Sequence, residues 1–65
     1  MIVKRQSMIT GIWNEMELPV TKKQLQMYEN NEGTLQDIFS NLTASEREFI
    51  KTGITDDEWE FINKD

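Results

Sequence analysis

An α+β domain, with an N-terminal antiparallel β-hairpin packed on three or four short capped helices, is the fold this 65-residue sequence predicts. Three observations predict it. The pattern over residues 12–20 has a period of two, helix-start signals with capping-box spacing recur three times after residue 20, and Gly11, Gly33 and Gly53 punctuate the chain at turns. Residues 1–20 form the hairpin and residues 21–65 the helical part of a single domain, with no internal repeat, linker or low-complexity tract.

Taken in order, residues 2–9 are apolar and β-branched enough to form the first strand. Their alternation is poor, because Lys4 and Gln6 share a face with Ile2 and Met8 while Arg5 and Ser7 share one with Val3 and Ile9. Thr10-Gly11 marks the turn, glycine being the residue that tolerates positive φ. Over 12–20, Ile12, Met16, Leu18 and Val20 fall on one face and Trp13, Glu15, Glu17 and Pro19 on the other, the signature of a half-buried strand. Pro19 lacks an amide hydrogen and belongs at a strand end or outer edge. A two-stranded hairpin is marginal in water alone, so it must pack on the helices.

The helices begin at threonines. Thr21 precedes Gln24, Thr43 precedes Glu46 and Thr55 precedes Glu58 by three positions each. At that spacing the threonine hydroxyl accepts from the third helical amide and the Glu or Gln side chain returns to the cap's own amide. Val20 with Leu25, and Ile54 with Trp59, add hydrophobic staples, so helices start near residues 22, 44 and 56. The cluster Asn30-Asn31-Glu32-Gly33 is a turn. After it, Leu35, Ile38, Phe39 and Leu42 make one apolar stripe of a short helix capped by Thr34. Gly53 suits the left-handed position that closes the helix holding Phe49 and Ile50. Asp56, Asp57 and Glu58 complement the macrodipole of the last helix, where Glu60 and Lys64 form an i,i+4 pair and Trp59, Phe61 and Ile62 are assigned to the core.

Composition then excludes most familiar chemistry. Without His or Cys there is no Ser-His-Asp triad, cysteine nucleophile, thiolate or imidazole zinc site, disulfide framework or iron–sulfur cluster. Ser7, Ser40 and Ser45 have no candidate base, and the three glycines do not form a phosphate loop. Asp56, Asp57, Glu58 and Glu60 do not converge on one ion when wound on a helix, so capping explains them better than metal binding. The sequence therefore implies a non-enzyme with no metal and no cofactor.

The net charge of −5 argues against general nucleic-acid binding. It is unevenly placed. Residues 1–28 carry four basic groups against two acidic ones, +2, whereas residues 29–65 carry ten acidic groups against three basic ones, −7. Such asymmetry favours association with itself or with a complementary partner. No apolar run reaches the ~18–20 residues of a membrane span, and Lys4 and Arg5 follow rather than precede Ile2 and Val3, unlike a signal peptide. The chain reads as intracellular, with no membrane partner.

Four side chains are candidate binding residues. Trp13 lies opposite the Met16/Leu18 face, as a partner-facing anchor or as a ring that wraps over a helix to complete the core. Arg47 groups with Ala44 and Lys51 into a small cationic spot in an acidic half. It docks a phosphate or carboxylate, or it forms internal salt bridges between helices. Tyr28 is an aromatic platform for a base, and Thr52 emerges only with the pattern described next. The scattered methionines are gap fillers or an adaptable surface.

The string Leu18-Pro-Val-Thr-x-x-Gln-Leu25, Gly33 before Leu35-Gln36-Asp37-x-Phe39, and Leu42-Thr43-x-x-Glu46-Arg47-Glu48-Phe49-Ile50-x-Thr52-Gly53-Ile54-Thr55-x-x-Glu58-Trp59 resembles a group of small tailed-bacteriophage proteins. The stretch from Ser7 to Thr21 is similar to their hairpin, and the resemblance covers about 50 of the 65 residues. The chain departs from it at Tyr28, where a Trp is common, in the Asn30–Glu32 turn, and at Ser40, where a Pro is frequent. The resemblance implies a phage accessory product in the cytoplasm of an infected bacterium. Arg47 and Thr52 are the shared positions that caps and core do not require, which adds them to the binding candidates.

Three functions follow as expectations. The first is stoichiometric binding to a host or phage protein, as a host-takeover or anti-defence inhibitor. The second is a homo-oligomer, associating through the hairpin edge, that sequesters a nucleotide signal with Arg47 on the phosphate and Trp13 or Tyr28 on the base. The third is a minor virion component.

Overall fold

The computed structural model describes residues 1–63. It contains strands β1 (Ile2–Gln6) and β2 (Trp13–Glu17) and helices α1 (Lys22–Glu29), α2 (Leu35–Ile38), α3 (Ala44–Thr52) and α4 (Asp56–Ile62). The architecture is the predicted α+β hairpin followed by short capped helices.

The strands pair antiparallel in the register Ile2↔Glu17 to Gln6↔Trp13. Both are shorter than the sequence pattern suggests, because residues 7–12 form an ordered loop instead of a tight turn at Thr10-Gly11. Ser7 is the reason. Its amide makes the last ladder bond, to Ile12 O at 2.8 Å, and its buried hydroxyl then holds the loop by accepting from the amides of Ile9 and Thr10 at 3.2 and 3.3 Å. The local polar bonds compete successfully with the ladder. Gly11 takes φ +75° in this loop, and Ile12 becomes exposed rather than joining Met16, Leu18 and Val20 on the inner face. Beyond β2, Pro19 is exposed and Val20 N–H donates to Leu18 O at 2.8 Å, turning the chain into α1.

All four helices start on the expected threonines, Thr21, Thr34, Thr43 and Thr55. The boxes Thr21/Gln24, Thr43/Glu46 and Thr55/Glu58 are complete in both directions. α1 ends in a Schellman arrangement: Glu32 N–H reaches Met27 O at 2.8 Å, Asn31 N–H reaches Tyr28 O at 3.2 Å, and Asn31 sits at φ +56°. α2 is a single turn, since Phe39 leaves the helical region at φ −110°, ψ 44°. Phe39 and Leu42 are nonetheless buried beside Ile38. α3 closes on Gly53 at φ +73°, where a Cβ would lie 2.3 Å from Gln6 O. Only glycine fits both the backbone angle and that approach of α3 to β1.

The core joins Val3, Leu18 and Val20 from the hairpin and its exit to Ile38, Phe39 and Leu42 of the central turn and Phe49 and Ile50 of α3. Met16, Leu25, Met27, Tyr28 and Leu35 pack around it. α3 lies against β1 and α2, and α2 against α1, in an elongated molecule of 38 × 19 × 19 Å. The last helix corrects one expectation. Trp59, Phe61 and Ile62 are all exposed, Phe61 at 80%. α4 is held by its first turn, through Glu58 to the hairpin loop and Asp56 to Ser45 (2.7 Å), so the apolar groups that follow do not reach the core. The expected Glu60–Lys64 pair lies outside the described residues.

Candidate functional site

The four nominated side chains occupy two regions of the fold. Tyr28 and Arg47 meet around Phe39. The Tyr28 ring packs edge-on against the Phe39 ring with centroids 5.9 Å apart, and Arg47 Nη1 donates to Phe39 O at 3.3 Å and Leu42 O at 2.8 Å. Arg47 thus fastens the α2–α3 connection through main-chain carbonyls instead of the interhelical salt bridges expected of it. Charged donors to carbonyls are among the stronger protein hydrogen bonds. Its partner in the proposed cationic spot, Lys51, points to solvent.

Trp13 and Thr52 lie toward the hairpin loop. The Thr52 hydroxyl donates back to Glu48 O at 2.8 Å and accepts from the Ile54 amide at 3.2 Å, while Thr52 O accepts from the Met8 amide at 3.0 Å. It shapes the end of α3 and docks the loop there. Trp13 pairs across the ladder with Gln6 and is 66% exposed. Of the four, it alone presents most of its surface to solvent.

Sequence reasoning missed the cluster that organises this end of the molecule. Glu58 Oε2 accepts from the Thr10 hydroxyl at 2.6 Å, and Glu58 Oε1 accepts from Asn14 Nδ2 at 2.9 Å and from the Thr55 amide at 3.0 Å. Asn14 Nδ2 also donates to Gly53 O at 2.9 Å. The Thr10 hydroxyl foremost, then the Thr55 amide, with Ser7 and Asn14 adding, hold the Glu58 carboxyl below the ordinary glutamate value against an opposing push from desolvation. One signal for this cluster was in the sequence. Asn14 is a polar residue on the otherwise apolar face of Met16, Leu18 and Val20, and such a group needs a partner.

Both segments joined here carry exposed apolar side chains. Met8, Ile9 and Ile12 of the loop, Trp13 of β2, and Trp59, Phe61 and Ile62 of α4 are all exposed, on two segments that Glu58 ties together. Residues 7–13 carry no charge. Among the described residues no pocket opens, no group of three or more acidic side chains is placed to hold a metal ion, and no helix is long and apolar enough to cross a membrane. Comparison with protein-family models, with curated proteins and with solved structures gives no match.

Proposed function

We propose that this chain is a non-enzymatic bacteriophage accessory protein that acts by stoichiometric binding to a host or phage protein, for example as an inhibitor of a defence or replication enzyme. The observation that carries the reading is the number of large apolar side chains exposed on the hairpin loop, the start of β2 and α4, with Met8 76%, Trp13 66% and Phe61 80% exposed. Large side chains left in water at this density on a small domain mark contact surfaces, and tryptophan is a frequent anchor there. Phage origin rests on the sequence resemblance alone.

Affinity purification of a tagged copy from infected bacteria tests the proposal. The expected result is a protein recovered in stoichiometric yield, and its loss from a Met8→Ser/Phe61→Ser variant that stays folded. Recovery of no stoichiometric protein partner refutes the reading.

A further inference from the structure

The two edges of the hairpin are not equivalent. Ser7 N–H donates to Ile12 O at one end of the ladder, and at the other Leu18 N–H donates to Met1 O (3.0 Å) while Met1 N donates to Leu18 O (2.9 Å). Hydrogen-bonded pairs alternate with open ones along an antiparallel ladder. Between these ends, Val3↔Met16 and Arg5↔Asn14 are therefore the bonded pairs. The N–H and C=O groups of Ile2, Lys4 and Gln6 point away from β2, and those of Trp13, Glu15 and Glu17 point away from β1.

On the β1 side that edge is partly covered by the end of α3 and by the Arg5 side chain. Gly53 packs on Gln6 O, the Met8 amide donates to Thr52 O, and Lys4 O accepts from Arg5 Nη1 at 3.0 Å, while Arg5 Nε reaches Ile50 O at 3.3 Å. On the β2 side, the outward groups of Trp13, Glu15 and Glu17 make no hydrogen bond to another element of the described residues. Their side chains are exposed, and among the described residues Glu15 and Glu17 pair only with Lys4 (3.4 Å) and the Met1 nitrogen (3.1 Å), both from the β1 side. Their other flank faces solvent.

We infer that the free edge of β2 receives an extended, basic segment of a partner protein as a third strand. The inference rests on the protein-binding reading above and specifies a partner chemistry for it. An added strand satisfies the open N–H and C=O groups, and its side chains on the outer face come to lie beside Trp13, Glu15 and Glu17. Lys or Arg at alternate positions complements Glu15 and Glu17, the two acidic groups of residues 1–28, which both lie on this strand. An apolar residue beside Trp13 completes the match. A second copy of this chain is a poor occupant. The antiparallel register that pairs all three outward residues sets Glu15 against Glu15 of the other copy, and like charges directly opposite are destabilising.

The test selects a yeast-displayed library of random dodecapeptides against the whole protein and maps each selected peptide by amide hydrogen exchange. The expected result is enrichment of sequences alternating Lys or Arg with other residues. Binding should slow exchange at the amides of Trp13, Glu15 and Glu17 and weaken with salt. Glu15→Pro removes an outward donor without touching the β1–β2 ladder and lowers affinity about tenfold. A Glu15→Lys/Glu17→Lys variant, which keeps the backbone edge, selects acidic peptides instead. No enrichment, enrichment without basic alternation, protection confined to other amides, or a dimer already protected at these amides overturns the inference. If the stoichiometric partner of the preceding test still binds Glu15→Pro, the edge assignment fails while the protein-binding reading stands. If no partner is found, that reading fails and the peptide selection still reports on the edge.

Discussion

Glu58 is the residue whose role depends most on distant neighbours. Locally it completes the Thr55 capping box, and across the fold it accepts from Thr10 and Asn14. Its folded value is lowered from 4.5, so its contribution to stability is complete above the unfolded value and is lost as pH falls through the lower folded value. Urea midpoints of wild type and Glu58→Gln should therefore differ most at neutral pH and converge as the medium is acidified below 4.5 and through the lowered folded value. A difference that is constant with pH contradicts this role. Gly53 makes a second residue-scale prediction. Gly53→Ala places a Cβ against Gln6 O at a left-handed angle, and the angle alone costs roughly 1–2 kcal/mol before the clash is relieved. Denaturation should show a loss of about 2 kcal/mol or more, much of what a domain this size holds.

At the scale of elements, the helix starts were legible because a threonine cap and its Glu or Gln are local chemistry. Thr21, Thr34, Thr43 and Thr55 all cap where the spacing places them. What spacing does not contain is the second bond of a capping side chain. Gln24 Oε1 accepts from the Thr21 amide, while its Nε2 donates to Ile38 O and to Asn41 Oδ1 at 3.0 and 3.1 Å, and Asn41 reaches Pro19 O. The end of α1 was legible only as a cluster: the left-handed residue is Asn31, not the neighbouring Gly33. The staple assigned Trp59 inward from Ile54, but the docking of α4 by its first turn left Trp59 partly exposed and Phe61 and Ile62 outside. For the candidate site, the period of two set Trp13 opposite the Met16/Leu18 face but left an exposed anchor and a core-wrapping ring both open, and the fold leaves it 66% exposed, whereas nothing local revealed that Arg47 is engaged by the carbonyls of Phe39 and Leu42. Arg47→Met should cost about 1–2 kcal/mol in thermal or urea unfolding by leaving the part-buried Leu42 carbonyl without a donor, while Phe39 O keeps the Leu42 amide at 3.0 Å. Thr43→Ala, at the start of the same helix, should cost about 1 kcal/mol.

For the molecule as a whole, one apolar core carries the stability and a separate apolar surface does not. Phe39 and Phe49 have no exposed surface, whereas Met8 and Phe61 are mostly in water. Phe39→Ala should cost about 3–5 kcal/mol and leave little folded protein by circular dichroism. Phe61→Ser should stay within about 0.5 kcal/mol of wild type in the same assay. The −5 charge and its division between the two halves could be counted from the chain, but the unequal hairpin edges required the folded register. They arise because α3 returns to β1, bringing Gly53 against Gln6 and leaving β2 uncovered.

The Thr10–Glu58 and Asn14–Glu58 bonds span 48 and 44 residues of chain, nearly the longest separations the molecule contains. A closure of that length carries a loop-entropy cost, which it shares with the β1–α3 contact, where the Arg5–Ile50 bond spans 45 residues. The seven-residue α4 is too short to persist alone in water. Its release and the loosening of the loop are accordingly one opening event, and the amides of both segments should exchange with solvent at a common rate. The same event would part the exposed apolar side chains of the loop from those of α4, which the bonds at Glu58 otherwise hold on neighbouring segments.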